Sequence, residues 1–162
     1  MYGRRSLTRL ELAAYVAIAA VLVAVLADRM LDLFEEAEHA MVQATLSRLY
    51  AGVNLRLAES IVRGEPVDPA DWMRRDPVAL ARIGLPNHAG SLKPAEQARQ
   101  APGSWWFDGG RNELVYLPRF TRTLRLGSGE STLRFRVEST TVPGSIGFRV
   151  VPVLPYRWGE ET

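Results

Sequence analysis

The sequence predicts an α+β protein: one long N-terminal helix, transmembrane in its first half and amphipathic in its second, packed on a small C-terminal antiparallel β-sheet. Leu12 to Ala27 is an apolar run without a charge, Pro or Gly. Beyond it, apolar residues keep recurring at steps of three and four, with one step of five, and no Pro intervenes before Pro66. From Trp105 the apolar period shortens to two, the spacing of a half-buried strand.

A chain of 162 residues, 47% hydrophobic, has room for one modest domain and one dedicated apolar segment, but not for two independent cores. The run Leu12–Ala27 is apolar on every face, which suits lipid or a deep core, and a domain this small cannot surround it. Its 16 residues fall short of the ~20 that usually span a bilayer, so either Leu10 and the flanking residues contribute or the bilayer thins locally. Arg4, Arg5 and Arg9 precede the run while Asp28 and Asp32 follow it. The positive-inside rule therefore places the N-terminus in the cytoplasm and the C-terminal domain in the periplasm or outside the cell. The alternative is a cleaved secretory leader, because Val25-Leu26-Ala27 has the form of a small-residue cleavage site. Glu11 argues against that, being a carboxylate at the mouth of an apolar run where a leader gains nothing from it.

Past Ala27, Met30, Phe34, Ala37, Met41, Leu46, Leu49, Val53, Leu57 and Ile61 form the expected apolar stripe, with most charges elsewhere. Gly64 is a natural C-terminal stop and Pro66 cannot continue the helix. One helix is thus expected from Leu7 to Arg63, roughly 85 Å long at ~1.5 Å per residue. Propensity alone does not hold a solvated helix of that length, so its outer stripe must be covered by the C-terminal domain or by other helices.

The stretch Ser6-Leu7-Thr8-Arg9-Leu10-Glu11-Leu12, followed at once by the apolar run, resembles the prepilin signature of type IV pilins and type II secretion pseudopilins. The resemblance implies a short basic leader, residues 1–6, removed between Ser6 and Leu7 by a prepilin peptidase that also methylates the new N-terminus. It makes Leu7 the first mature residue, Thr8 the second, and Glu11 the glutamate that meets a neighbouring subunit's amino terminus during assembly. Two positions depart from the pattern: Ser6 stands where the family carries Gly, and Arg9 interrupts the apolar start. Cleavage after Ser6 and an uncut membrane component both remain open, as does a plainer role for Glu11 at the headgroup level beside Arg4, Arg5 or Arg9. A second resemblance covers Gly103 to Phe120, where a Trp-rich strand, a turn and a Leu-Val-Tyr strand look like the opening of the sheet in pilin-like minor subunits. The function implied is that of a structural subunit or assembly component of a type IV pilus or type II secretion filament, seated in the inner membrane. Its partners would be the membrane, other pilin or pseudopilin subunits and a prepilin peptidase.

The remaining organisation follows residue chemistry. Residues 7–28 form the transmembrane half of the helix and 29–63 its outer half. Residues 64–102 read as a connection with short helices, since Asp68-Pro69 and Asp76-Pro77 each pair an N-cap with Pro at the first helical position. Residues 103–162 form the sheet. Trp105–Phe107 and Leu114–Leu117 flank Asp108-Gly109-Gly110, Leu124–Leu126 and Leu133–Val137 flank a second Gly-rich turn, and Ile146, Phe148 and Val150 alternate. Leu133, Phe135, Val137, Ile146, Phe148 and Val150 are expected to face the helix.

No catalytic constellation, cofactor or metal site is expected. The chain has no Cys, His39 and His88 are isolated, and no serine sits in a nucleophile elbow. Glu35, Glu36 and Glu38 read as a solvated helix face, and Trp105 and Trp106 as core packing. The remaining candidate surface is an arginine-rich sheet face, with Arg122, Arg134, Arg136 and Arg149 pointing to water. It suits an anionic partner, nucleic acid included, or an acidic neighbour in a filament. A membrane-anchored extracytoplasmic binding module is the corresponding alternative function.

Overall fold

The computed structural model describes residues 9–127, 129–142 and 145–159. Residues 1–6, expected to form a leader, and Leu7 and Thr8 of the expected processing site and assembly positions lie outside the described residues. The long helix, α1, runs unbroken over Arg9–Val62, 54 residues or ~81 Å at ~1.5 Å per residue. Gly64 ends it as expected, in the left-handed region at φ 67°. Two short helices follow, α2 over Pro69–Arg74 and α3 over Pro77–Ala81, each begun by the anticipated cap: Asp68 Oδ1 accepts from Ala70 N at 3.0 Å and Asp76 Oδ1 from Val78 N at 2.9 Å.

The sheet has five strands in the order β1-β2-β3-β4-β5, with β1 His88–Ser91, β2 Trp105–Asp108, β3 Glu113–Tyr116, β4 Leu133–Val142 and β5 Ser145–Pro152. A further helical turn, α4 over Pro94–Gln97, connects β1 to β2. β2 through β5 pair antiparallel as expected, with Trp105 opposite Tyr116 and Val137 opposite Val150. β1 corrects the expectation of a purely antiparallel sheet: it pairs parallel to β2, from within the stretch read as an irregular connection. Its residues, His-Ala-Gly-Ser, have no strand pattern, and Gly90 sits at φ 76°. A second correction concerns Leu124–Leu126, which forms no strand; Arg125 makes one isolated bridge, with Arg157.

α1 lies across one face of the sheet and the core fills the space between them. Val42 and Leu49 pack with Trp105, Leu114, Tyr116, Leu133, Phe135 and Trp158, while Val53 and Leu57 pack with Trp72, Leu80, Val137 and Phe148. Both tryptophans of β2 are buried, Trp105 against Tyr116 with ring centroids 4.4 Å apart. Of the expected inward set on β4 and β5, Leu133, Phe135, Val137 and Phe148 are buried and Val150 is partly so, but Ile146 is exposed. β5 is an edge strand, and α1 closes part of that edge: Asn54 Nδ2 donates to Phe148 O at 2.8 Å and its Oδ1 accepts from Phe148 N at 3.1 Å.

The buried row of α1 is not the expected stripe. Leu49, Val53 and Leu57 belong to both, but Met30, Phe34, Met41 and Ile61 are exposed, and the row continues instead through Glu35, Glu38, Val42, Thr45 and Ser60. Counting apolar residues chose the wrong face because the membrane-proximal end of the true row is polar.

Candidate functional site

The polar end of that row builds a clasp where the free part of α1 meets the domain. Glu35 and Glu38, three residues apart, project from the same face of α1 into the chain 117–124 between β3 and β4. They are 3% and 6% exposed, which corrects the expectation of a solvated face; Glu36 alone of the three is exposed. Burial of a carboxylate is tolerable only when hydrogen-bond donors replace its water. Glu38 has three: Tyr116 OH donates to Oε1 at 2.5 Å, Arg119 N to Oε1 at 2.8 Å and Phe120 N to Oε2 at 2.9 Å. Glu35 Oε1 accepts from Thr123 N at 2.9 Å and Trp158 Nε1 at 3.2 Å. Burial, followed by the hydrogen bond to Glu38 and its negative charge, pushes the Tyr116 phenol well above its usual range, so it remains a donor.

Around these two acids the contacts continue towards the free end of α1. The Phe120 ring stacks on Phe34 with centroids 6.0 Å apart. Arg122 Nη1 reaches Asp28 Oδ1 at 2.7 Å and Asp32 Oδ1 at 3.3 Å, and these carboxylates raise the basicity of its guanidinium. On the other flank His39 stacks on Trp158 at 5.4 Å, and Gln43 donates to Tyr156 OH at 3.0 Å. Asp32, Glu36, His39, Arg122 and Trp158 line an open groove of about 480 Å³ beside the clasp.

The expected arginine face separates into distinct ion pairs. Arg122 belongs to the clasp. Arg134 is not open to water: its side chain is 18% exposed, bound to Glu113 at 3.1 Å and Glu130 at 3.4 Å, with Asp108 at 3.9 Å. Arg136 and Arg149 share Glu138, at 3.4 and 3.0 Å. Acidic partners are thus built into the face. Glu11 lies on the exposed part of α1, far along the helix from the clasp. Among the described residues no group of three or more His, Cys, Asp or Glu side chains is arranged to hold a metal ion.

The clasp was missed in the sequence because acids are scored as surface. The available signal was phase: Glu35 stands seven residues before Val42, and Glu38 four before Val42 and seven before Thr45, on the same helical row as Leu49 and Val53.

α1 is long and apolar enough near its N-terminus to cross a membrane, and none of that stretch is buried against the domain. Fold and site together define the class: an α+β protein with, among the described residues, one candidate membrane-spanning helix, clasped through buried carboxylates to a small sheet. Against known protein families, curated proteins and solved structures, the chain finds no match.

Proposed function

We propose that this chain is a pilin-like, single-pass inner-membrane protein acting as a structural subunit or assembly component of a type IV pilus or type II secretion-type filament. One observation carries the reading: a single unbroken helix has an apolar first half that the described residues leave unburied and a second half with one face buried against its own sheet. An all-apolar helix face is stable in lipid or against other such helices, and a filament subunit meets both in turn. The N-terminal signature around Glu11 supports the same reading. A carboxylate within the bilayer costs about 2.5 to 3.5 kcal/mol on insertion scales, so a cationic partner favours Glu11 there, and in a filament a neighbouring subunit's amino terminus would supply one. Arg4, Arg5 and Arg9 on one side of the run support a cytoplasmic N-terminus and an extracytoplasmic sheet domain. The chain then acts by assembly rather than catalysis.

The test is Glu11→Ala in cells that express the filament. The variant is expected in the membrane fraction at the normal level but absent from the sheared filament fraction; undiminished incorporation would remove the assembly role. N-terminal sequencing of the same material is expected to begin at Leu7, or at Met1 for an uncut component, whereas a start at Asp28 would mean a cleaved leader and would end the filament reading.

A further inference from the structure

We infer that the segment Pro118–Thr123 sits in the phospholipid headgroup layer and docks the sheet domain directly on the bilayer, with Arg119 and Arg125 turned towards lipid phosphates. This rests on the proposal that α1 spans the membrane.

The uncharged run Leu12–Ala27 measures only ~24 Å at ~1.5 Å per residue, against about 30 Å of hydrocarbon. The shortfall has a ready remedy in the next two turns of α1. Met30, Leu31, Leu33 and Phe34 are all exposed, Leu33 by 62%, and their apolar surface extends the lipid-facing length by ~10 Å. Sinking them to the membrane boundary takes Asp28 and Asp32 with them, and carboxylates there are costly unless paired. The domain supplies the pairing. Arg122 spans Asp28 and Asp32, bringing a guanidinium to the level at which the helix leaves hydrocarbon.

Height settles where the rest of the segment lies. About 30 Å of hydrocarbon counted from Leu12 ends near Leu31, so Asp32 and Phe34 stand ~1.5 and ~4.5 Å beyond it along the axis, within a headgroup region about 5 to 8 Å deep on each side. Arg122 lies at that level, and Phe120 stacks on Phe34 just above it. The segment hangs from α1 by its backbone: Glu38, ~10 Å beyond Leu31 along the axis, binds the N–H groups of Arg119 and Phe120, and Glu35, ~6 Å beyond it, binds that of Thr123, so the side chains reach down towards the bilayer. An aromatic ring flanked by arginines is the composition that favours the interface, where the ring rests at headgroup level and guanidinium forks meet phosphate oxygens. Arg119 and Arg125 are exposed beside it; their contacts here are to carbonyls, Pro102 O and Arg122 O, each at 3.4 Å, so neither charge is neutralised by them.

The chain has no Cys, so a single fluorophore can be placed at Thr121→Cys, an exposed position within the segment, and a control at Ser91→Cys. Ser91 lines the same groove as Arg56, ~42 Å beyond Asp28 along α1. The full chain is reconstituted in vesicles of phosphatidylethanolamine and phosphatidylglycerol containing a headgroup-nitroxide lipid. The expected result is loss of most emission from the Thr121 probe and little from the Ser91 probe, with part of the Thr121 loss reversed by the double substitution Arg119→Ser, Arg125→Ser. Co-flotation with an unquenched Thr121 probe would overturn the docking while leaving the span intact. Quenching that the double substitution does not change would overturn the phosphate contact. Failure of the chain to co-float would remove the spanning helix and the docking with it.

Discussion

Glu38 shows how a charged side chain becomes part of a core. Its three donors come from a phenol and two consecutive backbone N–H groups, so a single residue satisfies three polar groups where the sheet connection meets α1. Removing it strands those donors out of water, and each stranded donor costs about 1 to 3 kcal/mol. Glu38→Ala is therefore expected to destabilise the domain by about 3 kcal/mol, and Glu38→Gln by less, because one acceptor oxygen survives. The measurement is the thermal unfolding midpoint of the full chain in detergent, followed by tryptophan fluorescence; a midpoint within error of the parent would mean that the clasp holds nothing. Arg122 is a different case. It is exposed, and its ion pairs with Asp28 and Asp32 position a loop more than they stabilise a fold.

Helices and strands here differ in how much of them local chemistry announces. α2 and α3 were legible because Asp-Pro pairs cap helices through contacts two residues away. β1 was not, since its four residues are ordered by parallel pairing with Trp105 and Phe107 rather than by their own pattern. Leu124–Leu126 has the pattern of a strand and fails to be one for the opposite reason: Thr123 N already donates to Glu35, and Leu124 turns into the core. α1 contains one glycine within its outer half, Gly52, and packing against α3 accounts for it. A Cβ there would stand 2.7 Å from Ala81 Cβ and 3.2 Å from Ala81 O. Gly52→Ala would gain about 1 kcal/mol of helix propensity but force apart two packed helices, an overpacking cost of about 1 to 3 kcal/mol. The expected outcome is a net loss of stability in chemical denaturation, whereas a stabilised variant would show that α1 and α3 separate readily.

Taken across its full length, the chain is a rod with a domain fastened to one side of its outer half. Fastening comes from two apolar clusters along Val42, Leu49, Val53 and Leu57 and from polar contacts at both ends, Glu35 and Glu38 near the free helix and Asn54 at the edge of β5. Such a body has a defined orientation in the proposed membrane setting. A Ser91→Cys variant is expected to react with a membrane-impermeant maleimide added outside intact cells or spheroplasts, without lysis; labelling only after lysis would reverse the orientation read from Arg4, Arg5 and Arg9.

The contrast between the two kinds of knowledge is one of range. An apolar run without Pro or Gly, an Asp-Pro cap, a helix-ending glycine and a two-residue period all act through neighbours within a few positions, and for that reason the long helix, the short helices and most of the sheet were readable in the residues alone. The face that α1 buries, the sinking of Glu35 and Glu38 and the partners of the arginines were not. Glu38 meets Arg119 across 81 positions, and Glu35 meets Trp158 across 123. Whether a carboxylate faces water or a cradle of N–H donors depends on where a distant loop arrives, and that is set by the packing of sheet on helix.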